Sequence, residues 1–533
     1  MNQIEAKRHK IEYFSHIIGV ISFVLLGNMI GNNGFTYMAV LIECISLFVL
    51  LVNGGASDVI GRLLRTRRKK NQYKEANEVH KMFFAVQSIE ATLMMVVYFF
   101  LTDIFADKVF HMPFLSVALK LLTPIILLRA LQGTMSAYFQ GMGAHMPSVV
   151  CALFRQLIFL LFGLFFTGKL MAYGEKVSAL LLNPDYAAMY GAVGLSLAMV
   201  IAEVFVTLFL LIVYIGSDRK REKQRSEDGL QRMESFSDRL RLIIAVSFPE
   251  SIRSILKKLP FLLSLIIIFG SADDISASSH EYGLFYGYFV CIVAIPVFMI
   301  VMRIINVLSR LSFAVKKKDN RNIREIIYSG MHYSWASGVF FSVCMAVLAP
   351  QLSKVLYKDF ALMLEHYYMM GAVLIAVISM AIFLFRALYV LGDKGICYIL
   401  LVVLNIVFAA GCVILRGREL EPMAVLCFAA LAACFTQVLV SYVYIARKYV
   451  LQPEMIRGFL IPLIAAGVMG LVIMLVQKLL APHVSSLICL LLCYAFSVIV
   501  YMMVLLMTRS IRENEINHVY GAIGKRIFGV VIR

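Results

Sequence analysis

Residues 249–269 read PESIRSILKKLPFLLSLIIIF, an apolar stretch whose first half carries four charged side chains. Together with the apolar residues before Pro249, it is long enough for a helix that crosses a bilayer. A charged side chain at membrane depth is costly and usually faces protein, water or an ionic ligand. This stretch therefore predicts a membrane helix that contributes cations to a site inside the bilayer.

The whole chain has the composition of an integral membrane protein. Of its 533 residues, 61% are hydrophobic and only 15% are charged, whereas soluble proteins contain about 25% charged residues. Apolar runs of roughly 20 residues, each able to cross a bilayer as a helix, recur from end to end. The predicted fold class is therefore an all-α polytopic membrane protein.

We predict about fourteen transmembrane helices. Lys and Arg concentrate in alternate connections and in the termini, which places both termini in the cytoplasm. The formal net charge of +18 is explained by these loops and does not call for nucleic acid as a partner. The predicted spans cover residues 13–31, 35–60, 81–101, 114–140, 147–169, 187–215, 242–270, 283–313, 329–349, 361–390, 394–415, 422–446, 457–479 and 484–508.

The spans group into two halves and a C-terminal pair. A short repeat links the halves, since RAL followed by a glycine occurs at 129–133 and again at 386–392. Repeated halves with a substrate site between them are common in secondary transporters. The predicted parts are a six-helix bundle in 1–215, a cytoplasmic linker in 216–241, a second six-helix bundle in 242–446, and two further helices with a cytoplasmic tail in 447–533.

The charges of the seventh span are spaced to share one face of a helix. Glu250, Arg253 and Lys257 follow the i, i+3, i+7 pattern, and Lys258 lies beside them. With a span that begins at residue 242, Arg253 lies about 15 Å deep. Three cations against one carboxylate leave a positive surplus that favours an anionic ligand. In the alternative arrangement Glu250 pairs with Arg253 and the lysines extend to the cytoplasmic interface.

Two further arginines are candidates for the same anion. Arg303 in the eighth span has a depth similar to that of Arg253, and Arg129 in the fourth span is a secondary candidate. The planar guanidinium group suits a diphosphate because it forms paired, charge-assisted hydrogen bonds. Arg310, two turns after Arg303, is interpreted as an anchor at the membrane interface.

Three carboxylates inside spans are candidates for coupling to a cation or a proton: Glu43, Glu90 and Glu203. A carboxylate at membrane depth is often part of an ion pathway or a proton relay. The alternative is that each is a structural partner of a cation such as Lys120 or Arg129.

Motifs of several enzyme classes are missing. The sequence has no GxxxxGK[ST] phosphate loop and no HExxH or comparable set of metal ligands. Its ten cysteines lie in or beside apolar segments without a CxxC pair, which is typical of core-filling residues. We therefore predict a protein that is not an enzyme and has neither a metal site nor another cofactor.

Several segments resemble the multidrug/oligosaccharidyl-lipid/polysaccharide (MOP) flippase superfamily, and within it the SpoVB-like polysaccharide biosynthesis and MurJ-like lipid II flippase branch. They cover nearly the whole chain in order. These segments are IGNNGFTYMAV (30–40), NGGASDVIGRLLRTRRKKNQYKEA (53–76), AYFQGMGAHMPSVVCALFRQL (137–157), SFPESI (247–252), YGLFYGYFVCIVAIPVFMI (282–300) and MTRSIRENEIN (507–517).

The resemblance implies two pseudo-symmetric six-helix bundles around a central cavity, with alternating access in a bacterial plasma membrane. In MurJ-like members, cavity arginines meet the diphosphate of an undecaprenyl-linked saccharide, and two further helices form a groove for the lipid tail. Arg303 is then the counterpart of such an arginine. This sequence departs from the branch because its first span has no arginine and its seventh span is dense in charge.

The function predicted is the transfer of an undecaprenyl-diphosphate-linked saccharide from the cytoplasmic to the outer leaflet. The saccharide would be that of lipid II or of a polysaccharide or teichoic-type precursor. Arg253, Lys257 and Arg303 would bind the diphosphate, with Lys258 and Arg129 in support. Membrane lipids and a coupling cation or proton are the other expected partners. The alternatives are a MATE-like multidrug/cation antiporter and a non-transporting membrane scaffold of a cell-envelope complex.

Overall fold

The computed structural model describes residues 3–31, 34–183, 185–217, 234–270, 275–356, 361–416, 420–450, 454–511, 515 and 519. These residues form α-helices joined by short turns, and none of them lies in a β-strand. The helices are α1 Gln3–Ile30, α2 Gly34–Asn53, α3 Ala56–Lys69, α4 Tyr73–Ile104, α5 Ser116–Leu121, α6 Pro124–Gly141, α7 Met146–Leu181, α8 Asp185–Gly216, α9 Phe236–Phe269, α10 Ile275–Gly283, α11 Cys291–Lys317, α12 Asn320–Leu356, α13 Ala361–Gly371, α14 Val373–Val390, α15 Lys394–Arg416, α16 Pro422–Tyr449, α17 Ile461–Leu480 and α18 Ser486–Met507.

Twelve helical segments within the described ranges are long and apolar enough to cross a membrane. They correspond to predicted spans two to six and eight to fourteen. The first predicted span is the apolar part of α1, Phe14–Ile30, which is shorter than these segments. The seventh is α9, a helix of 34 residues whose middle carries the charges noted above. The prediction of an all-helical, multi-pass membrane protein is confirmed.

Local sequence signals explain several helix boundaries. Gly55 separates α2 from α3 with φ of 97°, a left-handed conformation that glycine adopts without steric cost. Proline occupies the first turn of α6, α7 and α16, where its missing N–H is not needed. α9 begins after Ser235, whose hydroxyl accepts a hydrogen bond of 3.2 Å from the Asp238 amide.

α9 stays one continuous helix although Pro249 and Pro260 lie inside it. Each proline removes one backbone hydrogen bond and favours a bend. The segment between the two prolines carries the four charged side chains. Because the helix is continuous there, these side chains lie on adjacent turns.

The chain divides into two compact units, Met1–Gly287 and Tyr288–Arg533. A core cluster of the first unit joins α3, α4 and α6 with Ile243 at the start of α9. A core cluster of the second unit joins α12 with the last two helices, α17 and α18. Residues 218–233 of the predicted linker lie outside the described residues, and the predicted functional division of the chain stays a prediction.

An ion-pair network fastens the start of α9 within the first unit. Glu75 at the start of α4 is buried, and its Oε1 lies 3.1 Å from Arg67 Nη1 and 2.8 Å from Arg239 Nε. The other Arg67 nitrogen donates to both carboxylate oxygens of Glu234, at 2.9 and 2.8 Å. The residues just before and inside α9 are therefore bound to the α3–α4 turn by side chains as well as by packing.

Candidate functional site

The charged middle of α9 packs against the break between α2 and α3. Ser254 donates a hydrogen bond of 2.5 Å to the carbonyl oxygen of Gly54. A Cβ atom on Gly54 would lie 3.0 Å from the Cα atom of Ser251, so the two backbones approach closely only because this residue is glycine. This contact places the α9 charges beside α2.

Arg253 forms an ion pair with Glu250 one turn earlier in the same helix. Both side chains are largely buried, with 15% of the Arg253 side chain and 7% of the Glu250 side chain exposed. The pairing matches the alternative arrangement that the i, i+3 spacing allowed. Binding of a diphosphate by Arg253 stays a prediction, because an incoming anion has to share the guanidinium with Glu250.

Lys258 forms an ion pair with Glu43 of α2. The Lys258 Nζ atom donates a hydrogen bond of 2.6 Å to Glu43 Oε1, and the Tyr286 hydroxyl donates another of 2.6 Å to the same oxygen. The alternative in which both lysines extend to the membrane interface is therefore wrong for Lys258. Lys257, the preceding residue on the helix, is exposed.

Counted from the Gly34 end of α2 and the Phe269 end of α9, this pair lies at membrane depth. At a rise of 1.5 Å per residue, Glu43 is about 14 Å from the Gly34 end of α2, and Lys258 is about 17 Å from the Phe269 end of α9. Both distances correspond to roughly the middle of a hydrocarbon core about 30 Å thick. Tyr286 reaches Glu43 from the π-helical turn Leu284–Val290, which links α10 to α11.

A second buried cluster centres on Glu203 of α8. Its Oε1 lies 2.7 Å from Arg129 Nη2 and 2.9 Å from Arg155 Nε. Its Oε2 accepts a hydrogen bond of 2.9 Å from the Gln132 amide nitrogen. The Gln132 amide oxygen in turn accepts a hydrogen bond of 2.7 Å from Arg155. Thr207 accepts a further hydrogen bond of 3.0 Å from Gln132. Two guanidinium groups thus share one carboxylate, and the cluster carries one surplus positive charge.

Glu90, the third predicted coupling carboxylate, has a different environment. It is half-buried and accepts a hydrogen bond of 3.1 Å from Gln87 Nε2. Lys120, one of the cations considered as a partner, instead forms a 2.7 Å ion pair with Asp103. Within the described part of the chain, no three His, Cys, Asp or Glu side chains are arranged to hold a metal ion.

Arg303 belongs to the second unit and lines a cavity of about 230 Å³. The cavity lies between α11, α12 and α18, so the last helix of the chain forms one of its walls. Of the described residues that line it, only Arg303 carries a charge. The others are apolar or aromatic side chains and one serine: Met299, Ile300, Tyr333, Ser337, Phe340, Phe341, Val498, Tyr501 and Met502.

A further polar site in the second unit was not predicted. The His332 Nδ1 atom lies 2.8 Å from Glu515 Oε2, and the hydroxyl of Ser510 lies 3.3 Å from its Nε2 atom. Arg457 donates to the carbonyl oxygens of Ser510 and Arg509, at 3.2 and 2.7 Å. These contacts attach the chain after α18 to α12 and to the turn before α17.

Most of the charged groups of these clusters were predicted from the sequence, whereas several of their partners were not. Tyr286, Gln132 and Arg155 complete the two carboxylate clusters, yet none was a predicted site residue. Gln132 and Arg155 lie inside predicted spans, and polar groups at membrane depth usually have partners, which was the available signal. Tyr286 gave no such signal, because a tyrosine in an apolar run is ordinary.

Comparison with known proteins identifies the fold. No protein-family profile and no curated protein sequence matches this chain. Among solved structures, the lipid II flippase MurJ in an inward closed conformation aligns with a TM-score of 0.68 at 13% identity, covering 99% of this chain and 100% of that one. An inward-facing MATE family multidrug resistance transporter of the MOP superfamily aligns with a TM-score of 0.62 at 12% identity, covering 83% and 94%. The Vibrio cholerae MATE transporter VcmN in its bent form aligns with a TM-score of 0.54 at 11% identity, covering 83% and 97%.

These alignments confirm the resemblance at the level of the fold. They extend along at least 83% of this chain in each case. Their sequence identity is too low to carry a substrate or an activity with it. The chain has the fold of the multidrug/oligosaccharidyl-lipid/polysaccharide flippase superfamily.

Proposed function

We propose that this protein is a flippase that moves an undecaprenyl-diphosphate-linked saccharide from the cytoplasmic to the outer leaflet by alternating access. The protein would lie in a bacterial plasma membrane with both termini in the cytoplasm. Residues 1–215 and 242–446 would move relative to each other during transport. Lipid II or a polysaccharide or teichoic-type precursor fits this role.

The observation that carries the proposal is the position of Arg303 in a cavity whose other described lining residues are uncharged. A guanidinium group beside apolar and aromatic walls suits a ligand with a phosphate at one end and a hydrocarbon chain at the other. At about 230 Å³ the cavity is smaller than most sites for whole ligands, which have roughly 300–1,000 Å³. It would therefore hold part of the substrate and would have to widen during transport.

The two C-terminal helices favour the flippase over the multidrug antiporter. The MATE structures align with 83% of this chain and MurJ with 99%. The unmatched share in the MATE alignments is close in length to residues 447–533, which include α17 and α18. Because α18 forms a wall of the Arg303 cavity, this C-terminal pair belongs to the feature on which the proposal rests.

The charges also disfavour an organic cation as the substrate. A cation in the cavity would face the guanidinium of Arg303. The buried carboxylates Glu43, Glu203 and Glu250 are already bound to cations of the protein. A cationic drug would have to displace one of these partners at a substantial energetic cost.

A non-transporting membrane scaffold is the second candidate. Three of the predicted substrate-binding cations, Arg253, Lys258 and Arg129, form ion pairs with carboxylates. Internal pairing is what a purely structural role requires. Transport assays separate the two roles, because a scaffold moves no lipid even when it is folded.

The test is translocation of a fluorescent undecaprenyl-diphosphate-linked saccharide by the full-length protein in proteoliposomes. We expect Arg303→Ala to slow translocation about tenfold to a hundredfold, the value of one charge-assisted hydrogen bond of roughly 1.5–3 kcal/mol. Arg303→Lys keeps the positive charge but loses the paired donors of the planar guanidinium group, so its translocation rate should be intermediate. Arg310→Ala, on the same helix, is the matched control and should resemble the wild type. Folded wild-type protein that moves no lipid would refute the flippase, and uptake of organic cations would support the antiporter.

A further inference from the structure

We propose that Glu43 and Lys258 form a proton-coupled switch, in which an anionic headgroup competes with Glu43 for the Lys258 ammonium group. When the headgroup binds Lys258, Glu43 takes up a proton. This inference rests on the proposed function and deepens it, because it names the coupling ion as a proton and places its site.

The geometry of the pair is asymmetric. The Glu43 side chain is fully buried, whereas 32% of the Lys258 side chain is exposed. A ligand can therefore reach part of the Lys258 side chain but not the Glu43 side chain. The Phe261 ring lies beside the ammonium group, with its centroid 4.9 Å from Nζ. The hydrogen-bond acceptor that holds Lys258 is the Glu43 carboxylate.

The two carboxylate oxygens of Glu43 also differ. Oε1 accepts both hydrogen bonds, from Lys258 and from Tyr286. Oε2 is buried and has no hydrogen-bond partner among the described residues. A buried carboxylate oxygen without a donor is costly. It is also the position at which a proton would be gained with no rearrangement of the neighbouring side chains.

Several elements around Glu43 supply ionisable groups. α9 supplies Lys258, and the π-helical turn before α11 supplies Tyr286. α10 supplies Tyr282, and α2 itself supplies Cys44, both within electrostatic reach of the carboxylate. Among these groups, Lys258 is the cation, so its loss leaves the carboxylate to one tyrosine hydroxyl.

Electrostatics then requires a compensating charge. A buried carboxylate whose cation has been removed destabilises the protein strongly, and proton uptake relieves that cost. The proton comes from water and becomes bound to Glu43, which turns from carboxylate to carboxylic acid. Lys258 keeps its own proton and pairs with a phosphate oxygen. When the headgroup leaves, Lys258 returns to Glu43 and the proton is released to water.

Glu203 provides a natural contrast within the same unit. It is held by two guanidinium groups and by Gln132, so the loss of either arginine to a ligand leaves a cation and an amide donor in place. That carboxylate has no need of a proton. Of these two carboxylates, the proton coupling is therefore assigned to Glu43.

The experiment uses farnesyl diphosphate as the probe and the purified full-length protein in detergent. Binding of the probe to the protein is measured together with proton uptake. A pH indicator in weakly buffered solution reports the proton uptake. We expect about one proton per bound probe, and an affinity that weakens by up to about tenfold per pH unit across the pH range in which Glu43 is ionised in the free protein and protonated in the complex. Glu43→Gln should still bind the probe but take up no proton at this site, and its affinity should depend less on pH. Glu78→Gln, which removes a partly exposed carboxylate paired with Lys81, is the control and should resemble the wild type.

Infrared difference spectroscopy of the wild type provides a second readout that needs no variant. Binding should produce the carbonyl band of a protonated carboxyl group. Probe binding without proton uptake, without that band, or with uptake unchanged in Glu43→Gln would overturn the switch and leave the flippase standing. The absence of any probe binding by folded wild-type protein would overturn both.

Discussion

Replacing Glu203 by glutamine would leave two guanidinium groups facing an amide inside the membrane. Removing one partner of a buried ion pair costs roughly 3–5 kcal/mol, because the remaining charge is uncompensated. Here 37% of the Arg129 side chain and 20% of the Arg155 side chain stay exposed. Because both guanidinium groups remain partly exposed, we expect a loss at the low end, about 3 kcal/mol. That is more than a hundredfold in the unfolding equilibrium constant.

The assay is equilibrium unfolding of the purified full-length protein in mixed micelles with increasing SDS. Glu78→Gln makes the same chemical change in an exposed pair and should cost about 0.5 kcal/mol or less. The double variant E203Q/R129Q removes a cation along with the anion. It should therefore be more stable than the sum of the two single changes predicts.

A loss of stability for Glu203→Gln no larger than that for Glu78→Gln would contradict a strong ion pair in this cluster. Simple addition of the effects of Glu203→Gln and Arg129→Gln would contradict it equally, because additivity means that the two groups do not interact. Either result would show that the cluster is hydrated well enough for its charges to be independent.

Three other changes have expected outcomes. Gly54→Ala should cost about 1–3 kcal/mol in the same unfolding assay, since the new methyl group would meet the α9 backbone at 3.0 Å. His332→Ala removes the group that holds Glu515, and hydrogen exchange after α18 should become faster while exchange in α2 stays unchanged. Tyr501→Phe removes a hydrogen bond of 2.8 Å to the Ala336 carbonyl oxygen and should cost about 1 kcal/mol. Unchanged unfolding in the first or third case, or unchanged exchange in the second, would contradict the contact concerned.

The helices were predictable because bilayer thickness and hydropathy act locally along the chain. Twelve predicted spans correspond to helices that meet both requirements. α9 was predicted as a helix for the same reason, although its charges make it less apolar than the rest. The pair Glu250–Arg253 was also open to prediction, because three residues along a helix bring side chains together.

The long-range pairs could not be predicted in the same way. Glu43 and Lys258 are 215 residues apart, and their contact depends on how closely α9 approaches the Gly54–Gly55 break. The spacing on one helix suggested a surplus of two positive charges. The structure adds Glu43 to the group and reduces that surplus to one. The wall that α18 forms beside Arg303 likewise depends on tertiary packing alone.

The ion-pair network around Glu75 bears on how the polypeptide can be divided. The start of α9 is fastened to the α3–α4 turn by Arg67, Glu75 and Arg239, and by the packing of Ile243. None of these bonds involves residues 218–233. A gene split inside that interval should leave these bonds intact and yield two fragments that reassemble on co-expression, which co-purification of the two fragments would check.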